Sequence, residues 1–258
     1  MSLIHSTAVI DPHAELAADV EVGAYSIIGA KVKIGRGTKI MSHVVIDGPT
    51  TLGEDNRVFP FASLGAVPQD KKYAGEDTEL IIGDRNVIRE CCTFNRGTIQ
   101  DKGKTILGND NWIMAYVHIA HDCIVGNNTI FANSATLAGH VTVHDYAILG
   151  GFTLVHQFCE VGEHAFTGMG SALGKDVAPY TMAYGSPAEP RGINSEGLKR
   201  RGFSTEAITR IKNAHRLIYR QHLNLNEALT QIEAEMGQYP EIQLLLDFCR
   251  RSERGLIR

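Results

Sequence analysis

The chain has 258 residues, 43% hydrophobic and 21% charged, with 26 Gly, 8 Pro and a formal net charge of −4. The apolar fraction supports a core and excludes a disordered or collagen-like chain, and the slight acidity excludes a strongly basic nucleic-acid binder. There is no apolar run of membrane-spanning length, no secretory signal in MSLIHSTAVIDPH and no CxxC among the five Cys, which suits a reduced, cytoplasmic protein with neither a disulfide framework nor a zinc knuckle.

The first element is a repeat. Steps of six from Ile10 land on Leu16, Val22, Ile28, Ile34, Ile40, Ile46, Leu52, Val58 and Leu64. The position four residues later is restricted too, as in Val20, Ser26, Val32, Thr38, Val44 and Ala62. Gly often follows the aliphatic, as at Gly23, Gly29 and Gly35, which is expected to permit the turn backbone. A period of six is neither the helical 3.6 nor the strand 2, and it marks a parallel β-helix. Three hexads make one coil of about 18 residues, with the aliphatic filling the interior and the small companion at the tight corner. Successive coils then pair as parallel strands about 4.8 Å apart.

Residues 66–79 (AVPQDKKYAGEDTE) interrupt the frame. This excursion reads either as a tolerated surface insertion or as a lid carrying Asp70 and Lys72 over a neighbouring subunit's site. The hexads resume at Ile82, break again over 95–106, and then run from Leu107 to Leu173.

From about residue 195 the spacing becomes helical. Ser204 is expected to cap a helix with Ile208, Ile211, His215 and Ile218 on one face. Asn226 is expected to cap a second helix, and Pro240 to open a third holding Ile242, Leu245, Leu246 and Cys249. We therefore divide the chain into a β-helix over 1–190 and a helical domain over 191–258. The second part carries 12 Lys and Arg against 8 Asp and Glu, so it is basic while the first is acidic. Lys199, Arg200 and Arg201 lie just before the Ser204 helix, as a solvated run or a phosphate-recognising cluster.

Stacking by 18 places His121, Gly139 and Gln157 in one column. His140 lies one position past it and His156 one before, so three histidines share a corner across three coils, with His118 three residues upstream. Such a cluster suits a metal, a general base with polar substrate contacts, or plain surface turns. Asp122, beside His121, favours the base because a carboxylate orients an imidazole. Cys123 and Cys159 occupy inward small positions and are poor nucleophiles.

The repeat together with QDKKYAGE (69–76), HIAHDC (118–123), LAGH (137–140), VHQFC (155–159), NSEGLKRRGFS (194–204) and RGLIR (254–258) resembles the UDP-N-acetylglucosamine O-acyltransferases of lipid A biosynthesis over essentially the whole chain. The resemblance implies a left-handed parallel β-helix with a C-terminal helical domain, in a cytoplasmic homotrimer needing no metal or cofactor. It implies transfer of an R-3-hydroxyacyl group from acyl carrier protein to the 3-hydroxyl of UDP-N-acetylglucosamine. By that match His121 is the base, Asp122 orients it and the Gly139 N–H stabilises the oxyanion. Asp70, Lys72, His118, His140, His156 and Gln157 match positions that contact sugar nucleotide or acyl chain. Asn194, Glu196, Arg200 and Arg201 match the region meeting nucleotide and phosphates. Two positions depart from the pattern. Asn95 stands where many members have His, and Met169 stands where long-chain members have Gly, which implies a shorter acyl groove.

Overall fold

A computed structural model describes residues 3–258. Short strands assemble into three sheets of nine, eight and ten strands, which the chain visits in turn as the faces of a left-handed parallel β-helix. Leu16 pairs with Ile34, and Ile119 with Leu137, so the coil is 18 residues long. One pairing is antiparallel, between Thr181–Tyr184 and Glu189–Ile193 at the end of the ten-stranded sheet.

The aliphatic column is the core. Ile28, Ile46, Leu64, Ile119, Leu137 and Leu149 are all buried, whereas Ile10 and Leu16 are half-buried in the first coil, which has a neighbour on one side only. The companion residues are buried too, and their polar members form a ladder. Asn86 Nδ2 donates to Asn56 Oδ1 (3.1 Å), Asn111 Nδ2 to Asn86 Oδ1 (2.9 Å) and Thr129 Oγ1 to Asn111 Oδ1 (2.6 Å). These amides also satisfy turn backbone, as where Asn86 Nδ2 bonds Gly108 O, and that offsets the cost of burying them.

The expected reason for the glycines needs correcting. The left-handed turn residue falls two positions after them and is filled by Tyr25, Lys31, Asp122, His140 and other side-chain-bearing residues. Gly23 and Gly35 are needed for room. A Cβ on Gly35 would sit 2.6 Å from the Gly53 carbonyl carbon of the next coil.

Both excursions leave the solenoid at one corner, between the nine- and eight-stranded sheets. The first spans Ala66 to Glu79 and stretches the register so that Leu80 pairs with Thr50. The second runs between Asn95 and Lys104, so that Ile106 pairs with Ile81. Every turn bearing the proposed HIAHDC, LAGH and VHQFC groups sits on this same corner.

Four helices follow: α1 (Ser195–Arg200), α2 (Thr205–Arg220), α3 (Leu225–Met236) and α4 (Pro240–Arg251). Ser204 caps α2 and Pro240 opens α4, as expected. The α3 cap is Asn224 rather than Asn226. Its side chain accepts from Glu227 N while the Glu227 carboxylate accepts from Asn224 N, both at 2.9 Å, a reciprocal capping box that places Asn226 inside the first turn. The basic run lies within α1 and its C-cap instead of preceding the first helix. The helices bury their own apolar cluster, which takes in Tyr180 and Ile193 from the last coil. At the C-terminal end of α4, Ser252 Oγ donates to Asp176 Oδ2 (2.6 Å) and Arg251 approaches Glu160 (3.6 Å). Among the described residues no helix is long and apolar enough to cross a membrane.

Candidate active site

The corner turns hold their second residue in the left-handed region, at φ 60° for Asp122, 64° for His140 and 65° for Phe158. This backbone turns Asp122 inward. It is fully buried, and its carboxylate accepts from Thr98 N (2.9 and 3.0 Å), Thr98 Oγ1 (2.6 Å) and His121 Nδ1 (2.9 Å). Burial pushes the Asp122 carboxyl up, but the hydrogen bonds from His121 and Thr98 outweigh it and hold the group below the usual carboxylate range. A buried, ionised carboxylate therefore faces Nδ1 of His121, which assigns the proton to Nδ1 and leaves Nε2 as the basic nitrogen.

Gly139 supports the His121 ring directly. A Cβ there would fall 2.6 Å from Cε1 and 2.8 Å from Nε2, so only a glycine lets the imidazole lie where it does. The Gly139 carbonyl accepts from Phe158 N (3.3 Å), while its N–H has no protein acceptor among the described residues. His140 stacks on Phe158 (4.4 Å between centroids, 12° between planes) and meets His121 edge-on (5.0 Å, 87°). Its Nδ1 lies 2.8 Å from Asp101 Oδ2 and 4.0 Å from Asp122 Oδ2. His118 is tied to Thr93 Oγ1 (2.7 Å), and burial lowers its proton affinity.

The structure thus brings together His121, Asp122, Gly139 and His140. It does not gather all three corner histidines. His156 is exposed, and its Nδ1 lies 3.2 Å from the Arg254 guanidinium and 3.1 Å from the Gln157 carbonyl. It does line an open apolar cleft of about 500 Å³ with Thr136, Leu154, Ala172 and Pro187, running along the nine-stranded sheet towards its C-terminal end.

The thiols are no competitors. Burial pushes Cys123 up to about 12 and Cys159 up to about 11. The ligand atoms of His121, Asp122 and His140 lie within 4.8 Å of one another, a spacing open to a metal. However, the carboxylate of Asp122 is already occupied by three donors, so an ion would have to break the network that orients His121.

Asp70 and Lys72 are exposed and meet only through Lys72 N, which donates to Asp70 Oδ1 (2.9 Å). The base of their loop is fixed by two residues of the second excursion. Asn95 Nδ2 donates to the Val67 carbonyl (2.9 Å), and the buried Arg96 donates to the Gly48 carbonyl and the Tyr73 hydroxyl. Asn95, a departure from the family pattern, is therefore a staple for the first excursion. Asn194 caps α1 through Gly197 N (3.1 Å) and also donates to the His164 carbonyl, so it has a structural task of its own. Glu196 pairs with Lys199 (2.8 Å), the Arg201 guanidinium lies over Tyr146 (4.2 Å), and Arg200 is exposed. No hydrogen bond, ion pair or ring contact among the described residues joins α1 to the His121 corner within one chain. Met169 is 82% exposed on the opposite corner, beside Gly151, and does not line the apolar cleft of its own chain.

Sequence reasoning missed Thr98, Asp101, Thr93 and Arg254. The signal for Thr98 and Asp101 was present, since the second break in the hexads falls one coil before His121 on the same corner.

A profile for domain 2 of UDP-N-acetylglucosamine O-acyltransferase matches residues 176–257, and one for the bacterial transferase hexapeptide (six repeats) matches 104–139. The acyl-[acyl-carrier-protein]--UDP-N-acetylglucosamine O-acyltransferase of Thiobacillus denitrificans is 59% identical over all of both chains, and that of Herminiimonas arsenicoxydans is 58% identical over all of both. The structure of LpxA from Acinetobacter baumannii superposes with a TM-score of 0.97 at 49% identity, covering 99% of this chain and 100% of that one. With full-length identity of this size and the same solenoid and helical tail, the chain belongs to the UDP-N-acetylglucosamine O-acyltransferase family.

Proposed function

We propose that the chain transfers an R-3-hydroxyacyl group from acyl carrier protein to the 3-hydroxyl of UDP-N-acetylglucosamine, with His121 as the general base. The observation that carries this reading is the His121–Asp122 pair lying against Gly139 with its N–H unengaged. Nε2 takes the proton of the sugar hydroxyl as that oxygen attacks the thioester carbonyl. The tetrahedral oxyanion is stabilised by the Gly139 N–H. Collapse breaks the carbon–sulfur bond, and the departing thiolate takes the proton back from the imidazolium. Asp122 stabilises that imidazolium without itself being protonated, in keeping with its lowered proton affinity.

The apolar cleft beside Gly139 supports a role in holding the acyl chain or the pantetheine arm. His118, His140, His156 and Gln157 surround the reacting centre in this reading. Asp70, Lys72, Asn194, Glu196, Arg200 and Arg201 serve it from an adjoining subunit, which makes the working unit a cytoplasmic homotrimer. The exposed aromatics Tyr25, Phe61, Tyr116 and Phe152 on the far corner support such an assembly, since a lone soluble chain rarely leaves such a row uncovered. The basic helical segment suits acidic acyl carrier protein. Met169 then projects into a neighbour's groove and shortens it, favouring chains of about ten to twelve carbons. No cofactor enters the reaction as written, and no nucleic acid is a partner.

The test is transfer to UDP-N-acetylglucosamine from a panel of R-3-hydroxyacyl carrier proteins of graded length. Transfer to the 3-hydroxyl with an optimum at the shorter chains is the expected result. Absence of transfer from every donor would overturn the reading.

A further inference from the structure

We infer that Asp101, carried by the second excursion, is a positioning residue that fixes the tautomer and orientation of His140 in the active site. The inference rests on the acyl-transfer reading for its catalytic consequence but on geometry for the assignment itself.

Four groups face the His140 ring. Phe158 covers one face at 4.4 Å, and the His121 ring meets it at 5.0 Å. Asp101 Oδ2 lies 2.8 Å from Nδ1, and Asp122 Oδ2 lies 4.0 Å from the same nitrogen. Asp122 is already committed to Thr98 and His121, so Asp101 is the carboxylate within hydrogen-bond reach. It is itself held beside Lys102 (3.4 Å). A carboxylate without a proton is acceptor-only, so Nδ1 of His140 must donate. The neutral ring then presents Nε2 as an acceptor, and no residue described here bonds that nitrogen.

The site consequently contains two imidazole–carboxylate pairs side by side, His121 with Asp122 and His140 with Asp101, each with Nδ1 turned to its carboxylate. One carboxylate is fully buried and rigid. The other rides on an exposed loop. This gives the second excursion a task that the first reading of the sequence left blank: it delivers Thr98 to Asp122 and, three residues on, Asp101 to His140. With Nε2 as acceptor, His140 can receive a hydrogen bond from a substrate hydroxyl, the chemistry shared by the sugar and the 3-hydroxyacyl chain. With the opposite tautomer it would present a donor there and lose that contact.

The experiment combines two readouts on the full-length protein. In nitrogen-15 NMR, wild-type His140 is expected to show Nδ1 protonated and Nε2 bare at neutral-to-alkaline pH, and Asp101→Ala to show a mixture. In steady-state transfer, Asp101→Ala is expected to lower kcat/KM about 10- to 100-fold, the size of one charge-assisted hydrogen bond, while Asp101→Glu regains most of it. Lys102→Ala, which leaves the carboxylate in place, is expected to change neither readout. An unchanged His140 spectrum in Asp101→Ala, or unchanged transfer in that variant, would overturn the inference. A wild type that transfers nothing would instead overturn the proposed reaction, and the NMR comparison would still decide the assignment of Asp101.

Discussion

Two corners flank the nine-stranded sheet, and they use one backbone for opposite ends. Towards the ten-stranded sheet, the left-handed turn residues are Tyr25, His43, Phe61, Tyr116 and Phe152, with φ between 57° and 65°. Their rings project outward, and Tyr25, His43 and Phe61 form a ladder with 5.2 Å between successive centroids. Towards the eight-stranded sheet, the same slot holds Asp122, His140 and Phe158 at φ 60–65°. Tyr116 is 64% exposed, whereas Asp122 is fully buried. The turn geometry does not account for the difference. Both excursions leave from the second corner, and the second of them supplies the donors that let a carboxylate be buried there. The solenoid provides identical slots, and chemistry arises where the repeat is broken.

The sharpest way to break this contrast is to remove the base. His121→Ala is expected to cost about 10²- to 10⁴-fold in kcat while circular dichroism and thermal melting stay near wild type, because a half-buried corner residue contributes little to the core. Asp122→Asn is expected next, at roughly 100-fold in kcat, since the amide no longer enforces Nδ1–H on His121. The same variant has a stability signature. The carboxyl titrates below its ordinary value in the folded chain, so its stabilising effect is complete above the unfolded carboxyl range near pH 4 and is lost as pH falls through the lowered value. Acid titration of the melting temperature is expected to be flatter for Asp122→Asn than for wild type.

Gly139→Ala is expected to cost about tenfold or more in kcat with KM little changed, because its Cβ would meet the His121 ring at 2.6 Å and push it off line. At the other corner, the paired change Tyr116→Ser and Phe152→Ser is expected to weaken self-association about 10- to 100-fold, read by sedimentation. Retained association would separate those aromatics from the interface. The smallest effect belongs to Met169→Gly, expected to move the preferred donor to a longer chain with about a tenfold change in the ratio of specificities. An unmoved preference would remove Met169 from the groove.

Most of the solenoid was legible because a period of six repeats its own constraint on every coil. Leu64, Ile119 and Leu137 each answer to the same interior, and chain register alone predicts that His121 lies beside Gly139 and near His140. The glycines were harder, because a close approach between coils and a left-handed backbone leave the same residue type behind, and only Gly35 set against Gly53 shows which applies. Asn226 looked as good a cap as Asn224, and the reciprocal Glu227 was the deciding partner. The placement of His156 escaped the register argument because Arg254, nearly a hundred residues away, turns its ring aside. Thr98 and Asp101 escaped it because a loop outside the repeat has no register to read.

The most direct test of the central claim is a crystal structure with UDP-N-acetylglucosamine bound. The sugar 3-hydroxyl is expected about 2.6–3.2 Å from Nε2 of His121, with the reacting oxygen on the same side as the Gly139 N–H. A sugar seated elsewhere, or one whose 3-hydroxyl faces away from His121, would contradict the assignment of this corner as the catalytic centre.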